Sequence, residues 1–330
     1  MSGVVLVTGG AGFIGSNIVA ELTADPGLDV VVCDRLRGAA LGKWRNLAKH
    51  PIADFVQPED LRAWLEGRDL EAVIHMGAVS STTEPDADKI IINNFNLSRL
   101  LFTWCTAHDR RLIYASSAAT YGDGADGFDD DSHPEALAEL RPLNAYGWSK
   151  TLFDRWAVRR AARGQAPPQW AGLKFFNVYG PNESHKGEMR SVIAKIWPDV
   201  ASGRPVRLFR SYRPDVPDGG QKRDFVYVRD AARVATWLLD HREVSGIFNL
   251  GSGHARSFHD LALAAFKAAD VTPKIEFIDM PEGLDRQYQY FTEARIERLR
   301  AAGYDAPFAS LEDGVTDYIQ SYLATPDPWR

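Results

Sequence analysis

The sequence predicts an α/β fold: a doubly wound parallel sheet of Rossmann type with a smaller α/β substrate-binding domain. Three observations carry that prediction. The apolar run 4–7 enters glycines at GxxGxxG spacing, Gly9, Gly12 and Gly15, and then a stretch of helical periodicity. Glycine permits the tight turn and close backbone approach that a pyrophosphate needs, and a helix opening at Phe13 aims unpaired N–H groups at it. A second apolar run ends in Asp34, about 20 residues past the glycines, where such a unit meets the adenosine ribose. Strand-like and helical runs then alternate, with crossovers long enough to cover both faces of a sheet.

In chain order, strands are predicted over 4–8, 29–34, 72–75, 112–116 and 172–176, all short apolar runs. Helices are predicted over 13–23, 61–67, 88–108 and 146–163 from apolar residues at helical spacing. Beyond Phe176 the alternation weakens, and Pro198, Pro205, Pro214, Pro217 and Gly219-Gly220 mark a basic, loop-rich stretch of the second domain. The runs 224–228 and 246–250 read as strands around a helix over 230–240, which returns the chain to its first domain. The expected division is 1–176 with 224–250 for the dinucleotide, and 177–223 with 251–330 for the substrate.

A chain of 330 residues that is 45% hydrophobic can bury a large core. Its net charge of −6 argues against general nucleic-acid binding. No apolar run approaches the roughly 18 residues of a membrane helix, and the N-terminus lacks a basic leader, so a cytoplasmic protein without a membrane partner is expected. Cys33 and Cys105 read as small core hydrophobes of a reducing compartment. Neither HExxH nor CxxC is present, so no metal is expected.

Tyr146 and Lys150 lie four apart, on one face of the predicted helix. Bringing a tyrosine from a pKa of about 10 to neutrality takes roughly 4 kcal/mol, which an ammonium about 4 Å away supplies at an effective dielectric of about 20. The pair is a candidate general acid/base. Ser116 and Ser117 close the strand at 112–116, at the carboxyl edge where open α/β sheets bind ligands. Asp34 alone suits the free ribose hydroxyls of NAD, whereas Arg35, Arg37 and Lys43 suit a 2′-phosphate. Arg190, Lys195, Arg207, Arg210, Arg213, Lys222 and Arg223 gather in the second domain, either as partners for a diphosphate or as a solvated basic face.

Together the glycine cradle, the serine strand end and the YxxxK helix resemble the extended short-chain dehydrogenase/reductase (NAD-dependent epimerase/dehydratase) family over nearly the whole chain. Segments 80–84, 176–181, 222–228 and 300–305 and the triplet His185-Lys186-Gly187 are similar to its ADP-heptose branch. The resemblance implies a homo-oligomeric isomerase that interconverts ADP-D-glycero-D-manno-heptose and its L-glycero epimer at C6. It implies transient oxidation with a tightly bound NADP, NAD being the alternative, in the supply of a bacterial outer-membrane glycolipid core. By the same resemblance Tyr146 and Lys186 are the acid/base groups, Lys150 tunes the tyrosine and Ser117 orients the C6 oxygen. For Lys186 a phosphate-binding role is the alternative.

Cofactor contacts implied are Gly9, Gly12, Phe13, Ile14, Gly15, Asp34, Arg35, Lys43, Met76, Ala78, Ser80, Asn93, Lys150 and Val178. Substrate contacts implied are Ser117, Asn177, Lys186, Lys195, Phe209, Arg210, Ser211, Arg223 and Tyr288. The chain departs from the family pattern at Gln57-Pro58, where a basic residue is usual, at Glu188, where a serine is usual, and in a longer loop over 212–221. A 4-epimerase, a 4,6-dehydratase and a non-catalytic cofactor sensor are the rival readings. Ala118-Ala119 after Ser117 supply no carboxylate for dehydration, and Tyr146 with Lys150 argues against the sensor.

Overall fold

The structure, a computed structural model, describes residues 3–36, 42–281 and 289–330. Twelve strands are present among them: β1 Gly3–Thr8, β2 Leu28–Cys33, β3 Asp54–Val56, β4 Ala72–His75, β5 Arg111–Ser117, β6 Trp170–Phe175, β7 Asn177–Tyr179, β8 Val206–Phe209, β9 Lys222–Tyr227, β10 Gly246–Leu250, β11 Ala255–Ser257 and β12 Ile275–Ile278. Seven form one sheet in the order β10-β6-β5-β4-β1-β2-β3, with every pairing parallel. The order reverses between β1 and β4, so a crevice opens beyond the carboxyl ends of those strands, the usual ligand position in such sheets.

Burial on both faces explains why these strands read as continuous apolar runs. In β1 and β2, Val5, Val7, Val30 and Val32 pack into a core shared with helices Phe13–Leu22 and Val228–Asp240. Leu6, Val31 and Cys33 face the opposite core, with Val73, Leu112 and residues of helices Leu97–Ala107 and Ala145–Ala161. A third core joins Phe13 and Tyr179 to helices Val192–Ala201, Phe258–Ala268 and Leu311–Tyr318. Beside it lie two small sheets, β11-β9-β7 and β12-β8. β10 joins the large sheet, whereas β9 pairs with β7 and β11.

Three expectations need correction. The helix expected over 88–108 is Ala87–Ile90, a wide π turn Ile91–Asn96, and Leu97–Ala107, because the wide turn carries Asn94 into the interior. The helix expected over 61–67 ends at Trp64, ahead of Gly67 at φ +69°. Pro198 does not punctuate a loop but sits inside helix Val192–Ala201, whose apolar face, Ile193, Ile196 and Val200, is buried.

Candidate active site

Backbone packing at the end of β1 demands the glycines. A Cβ on Gly15 would stand 2.2 Å from the Gly9 carbonyl oxygen, and one on Gly9, at φ +68°, 2.6 Å from the Gly77 nitrogen. Gly12 caps helix Phe13–Leu22 without a side-chain hydrogen bond, which leaves the first-turn amides facing the crevice. Asp34 closes the cradle: its carboxylate accepts from the Ala11 N–H at 2.9 Å, the Arg35 N–H at 2.6 Å and Lys43 Nζ at 2.5 Å. Arg35 itself pairs with Glu59 at 3.0 Å.

A cavity of about 360 Å3 continues from the cradle to Tyr146, Lys150, Ser117 and Lys186. Tyr146 is on helix Ala145–Ala161, whose first turn is capped by Asn144. Burial pushes its phenol up, and a hydrogen bond shared with Ser117 opposes that. Lys150 donates to the Ala115 carbonyl at 2.7 Å, and burial pushes its ammonium down to about 8. Lys186 enters from the segment Ser184–Met189, with Nζ 4.9 Å from the centre of the Phe13 ring. Burial lowers its pKa too, and Glu183 opposes the shift.

The same cavity is lined by Gly9, Gly12, Phe13, Ile14, Gly15, Asp34, Lys43, Met76, Ala78, Ser80 and Val178. Arg35 and Asn93 line an adjoining cavity of about 360 Å3 that shares Gly9, Asp34 and Lys43. Of the described residues expected at the substrate, only Ser117 and Lys186 line the first cavity. Lys195 pairs with Glu188 at 3.7 Å, Arg210 with Asp279 at 3.2 Å, and Ser211 donates to the Arg213 carbonyl. Asn177 is exposed, Phe209 ends β8, and the buried Arg223 guanidinium lies 5.5 Å from the Phe258 ring centre. Tyr288 and Arg37 lie outside the described residues.

The sequence profile of the NAD dependent epimerase/dehydratase family matches residues 5–251. The chain belongs to that family. A protein of Nitratidesulfovibrio vulgaris strain DP4 named ADP-L-glycero-D-manno-heptose-6-epimerase is 49% identical over 328 residues, covering 98% of this chain and 99% of that protein. One of the same name from Fusobacterium nucleatum is 46% identical, again over 98% and 99%. Among solved structures, the Helicobacter pylori enzyme of that name superposes with a TM-score of 0.78 at 27% identity, over 97% of this chain and 96% of the other. A Thermus thermophilus UDP-glucose 4-epimerase in complex with NAD gives 0.75 at 29%, over 96% and 97%.

This NAD dependent epimerase/dehydratase family member is an epimerase that works with a nicotinamide cofactor. The cradle suits such a group, because its glycines leave no room for a Cβ and its uncapped helix end favours an anion. Two site residues escaped the sequence reading. His185 lines both cavities, with Nδ1 3.3 Å from Asn46 Nδ2, and burial followed by Lys43 pushes its pKa down to about 4. Asn94 accepts from the Val79 N–H at 2.8 Å and donates to Ser149 at 3.0 Å, tying the loop after β4 to the Tyr146 helix. The Asn93-Asn94 pair was the signal, and the π turn decides that Asn94 points inward. Among the described residues, no helix is long and apolar enough to cross a membrane.

Proposed function

We propose that this chain interconverts ADP-D-glycero-D-manno-heptose and ADP-L-glycero-D-manno-heptose at C6, with NADP as its bound cofactor. One observation carries the reading: Tyr146 and Lys186, two ionisable groups from separate elements, line a single cavity together with Ser117. The names of relatives 49% and 46% identical over nearly their whole length support the sugar. A bound nicotinamide supplies the reversible two-electron oxidation at C6. Tyr146 takes and returns the proton of the C6 hydroxyl, and Ser117, already bonded to Tyr146, orients that oxygen. Lys150 offers its positive charge to the phenolate and a donor to the cofactor ribose. Lys186 handles the proton of the other epimer, whose C6 oxygen points elsewhere, and its burial-lowered pKa helps it shed one.

NADP is favoured by Lys43 and Arg35 beside Asp34, whose carboxylate charge is already met by three donors. The two parts of the chain divide the labour: 1–176 with 224–250 holds the dinucleotide, and 177–223 with 251–330 covers the sugar nucleotide. There Asn177, Lys195, Phe209, Arg210, Ser211, Arg223 and Tyr288 would meet the ADP moiety, with the diphosphate replacing Glu188 as the partner of Lys195. A cytoplasmic homo-oligomer completes the reading, and light scattering of the purified protein gives its subunit count.

The deciding experiment incubates the purified protein with ADP-D-glycero-D-manno-heptose and no added cofactor. The C6 epimer should accumulate to a mixed equilibrium without net NADPH release. No conversion, even with NADP or NAD added, overturns the proposal, as does rapid conversion of UDP-galactose to UDP-glucose.

A further inference from the structure

Behind the Tyr146–Lys150 pair lies a buried ion cluster that the proposed chemistry does not use. Asp154 is one helical turn beyond Lys150, wholly buried, and accepts from Tyr114 Oη at 3.0 Å and Ser116 Oγ at 2.6 Å, both on β5. Lys174 of β6 is wholly buried as well. Its Nζ has no hydrogen-bond partner among the described residues and stands 4.2 Å from the centre of the Tyr121 ring. An ammonium in such a place needs a counter-charge.

We propose that Asp154 and Lys174 are positioning residues: Asp154, through Tyr114 and Ser116, locks the Tyr146 helix onto β5, and the two buried side chains together fix the charge against which Tyr146 and Lys150 titrate. This rests on the acid/base reading of Tyr146 and Lys150. Geometry supplies the lock: Ser116 and Tyr114 hold Asp154 at one end of the helix face, and Ser117, the next residue of β5, meets Tyr146 at the other.

Counting the charges gives the tuning. Asp154 faces Lys150 on its own helix and Lys174 from β6, and Lys150 faces His75 from β4, which burial keeps neutral. Tyr114 and Tyr121 are held in their neutral forms by burial. Asp129 and Asp130 face Lys174 but have arginines of their own, Arg295 at 2.8 Å and Arg298 at 3.7 Å. Burial pushes Asp154 up and Lys174 down, and each opposes the other's shift; with both ionised, Lys150, Lys174 and Asp154 sum to one positive charge, which a Tyr146 phenolate would balance.

Removing the carboxylate makes the cluster more positive, which lowers the pKa of every nearby group. Asp154→Asn should move both limbs of the pH profile of kcat to lower pH by about one unit or more. Asp154→Asn with Lys174→Met removes one charge of each sign and should bring the profile back by more than half. The tyrosinate absorbance of the holoenzyme, taken as its difference from Tyr146→Phe, should follow the same order without reference to turnover.

An unmoved profile in Asp154→Asn, with only a lower Tm, overturns the inference. So does a double variant as far displaced as the single one. If Asp154→Asn does not fold, Lys174→Met alone decides: it must move the profile to higher pH, and an unmoved profile overturns the inference. Full turnover in Tyr146→Phe would instead overturn the acid/base reading, a separate result.

Discussion

At the scale of single residues, the site works through burial. Lys150 is pushed down to about 8 because its ammonium has left water, with Asp154 opposing. Its charged form exists below that value and is lost as pH rises through it. A reaction that needs this charge should lose kcat above about pH 8, which a pH–rate profile of the cofactor-loaded enzyme would reveal. Tyr146→Phe keeps the ring and removes the proposed proton carrier, so kcat should fall by about 10²–10⁴ with little change in thermal stability. Tyr146, Lys150, Ser117 and the glycines, which share one cavity, were legible as candidates because local spacing and the end of an apolar strand mark them. His185 was not, because its place depends on Asn46, 139 residues away in the chain.

At the scale of elements, legibility followed length and burial. β1, β2, β4, β5, β6 and β10 are buried on both faces and announce themselves as apolar runs. β3, β7 and β11 have three residues each, too few to show a period. The π turn Ile91–Asn96 is equally silent, since one wide turn barely disturbs helical spacing. Its consequence separates two adjacent asparagines. Asn94→Ala would strip the Val79 N–H and Ser149 of a buried partner, and should cost about 1–3 kcal/mol, read as a lower urea midpoint. Asn93, half-buried, instead lines the cavity shared with Asp34 and Arg35, so for Asn93→Ala the urea midpoint should hold while the retained cofactor fraction drops.

At the scale of the whole molecule, polar seams tie the large sheet to the smaller sheets. Asn46 donates to the Ala11 carbonyl of the cradle at 2.9 Å and to the Asn182 carbonyl at 3.2 Å, next to the segment that carries Lys186. Arg330 donates its backbone N–H to Asn182 and its guanidinium to Asn17 and Glu21 on the glycine helix. Two histidines sit in these seams, and a third, His75, sits inside the large-sheet part. His50 lies 3.2 Å from the Arg330 carbonyl, His185 meets Asn46, and His75 bridges Thr8 at 2.6 Å and Ser98 at 2.9 Å. Burial depresses all three, His185 to about 4 and His75 to about 3. A depressed histidine stays neutral in the folded chain while its unfolded form takes a proton below about pH 6.5, so stability falls as pH drops through that window. Most carboxylates remain charged above about pH 5, which assigns the slope between about 6.5 and 5 to the histidines. His75, wholly buried, should dominate, on the order of a few kcal/mol once pH nears its folded value. His75→Gln can accept from Thr8 and donate to Ser98 without titrating, so its urea midpoint should decline less steeply than the parent's, with His185 and His50 keeping their share of the slope. Parallel slopes for the two proteins would mean that the acid sensitivity resides elsewhere than in the Thr8–His75–Ser98 bridge.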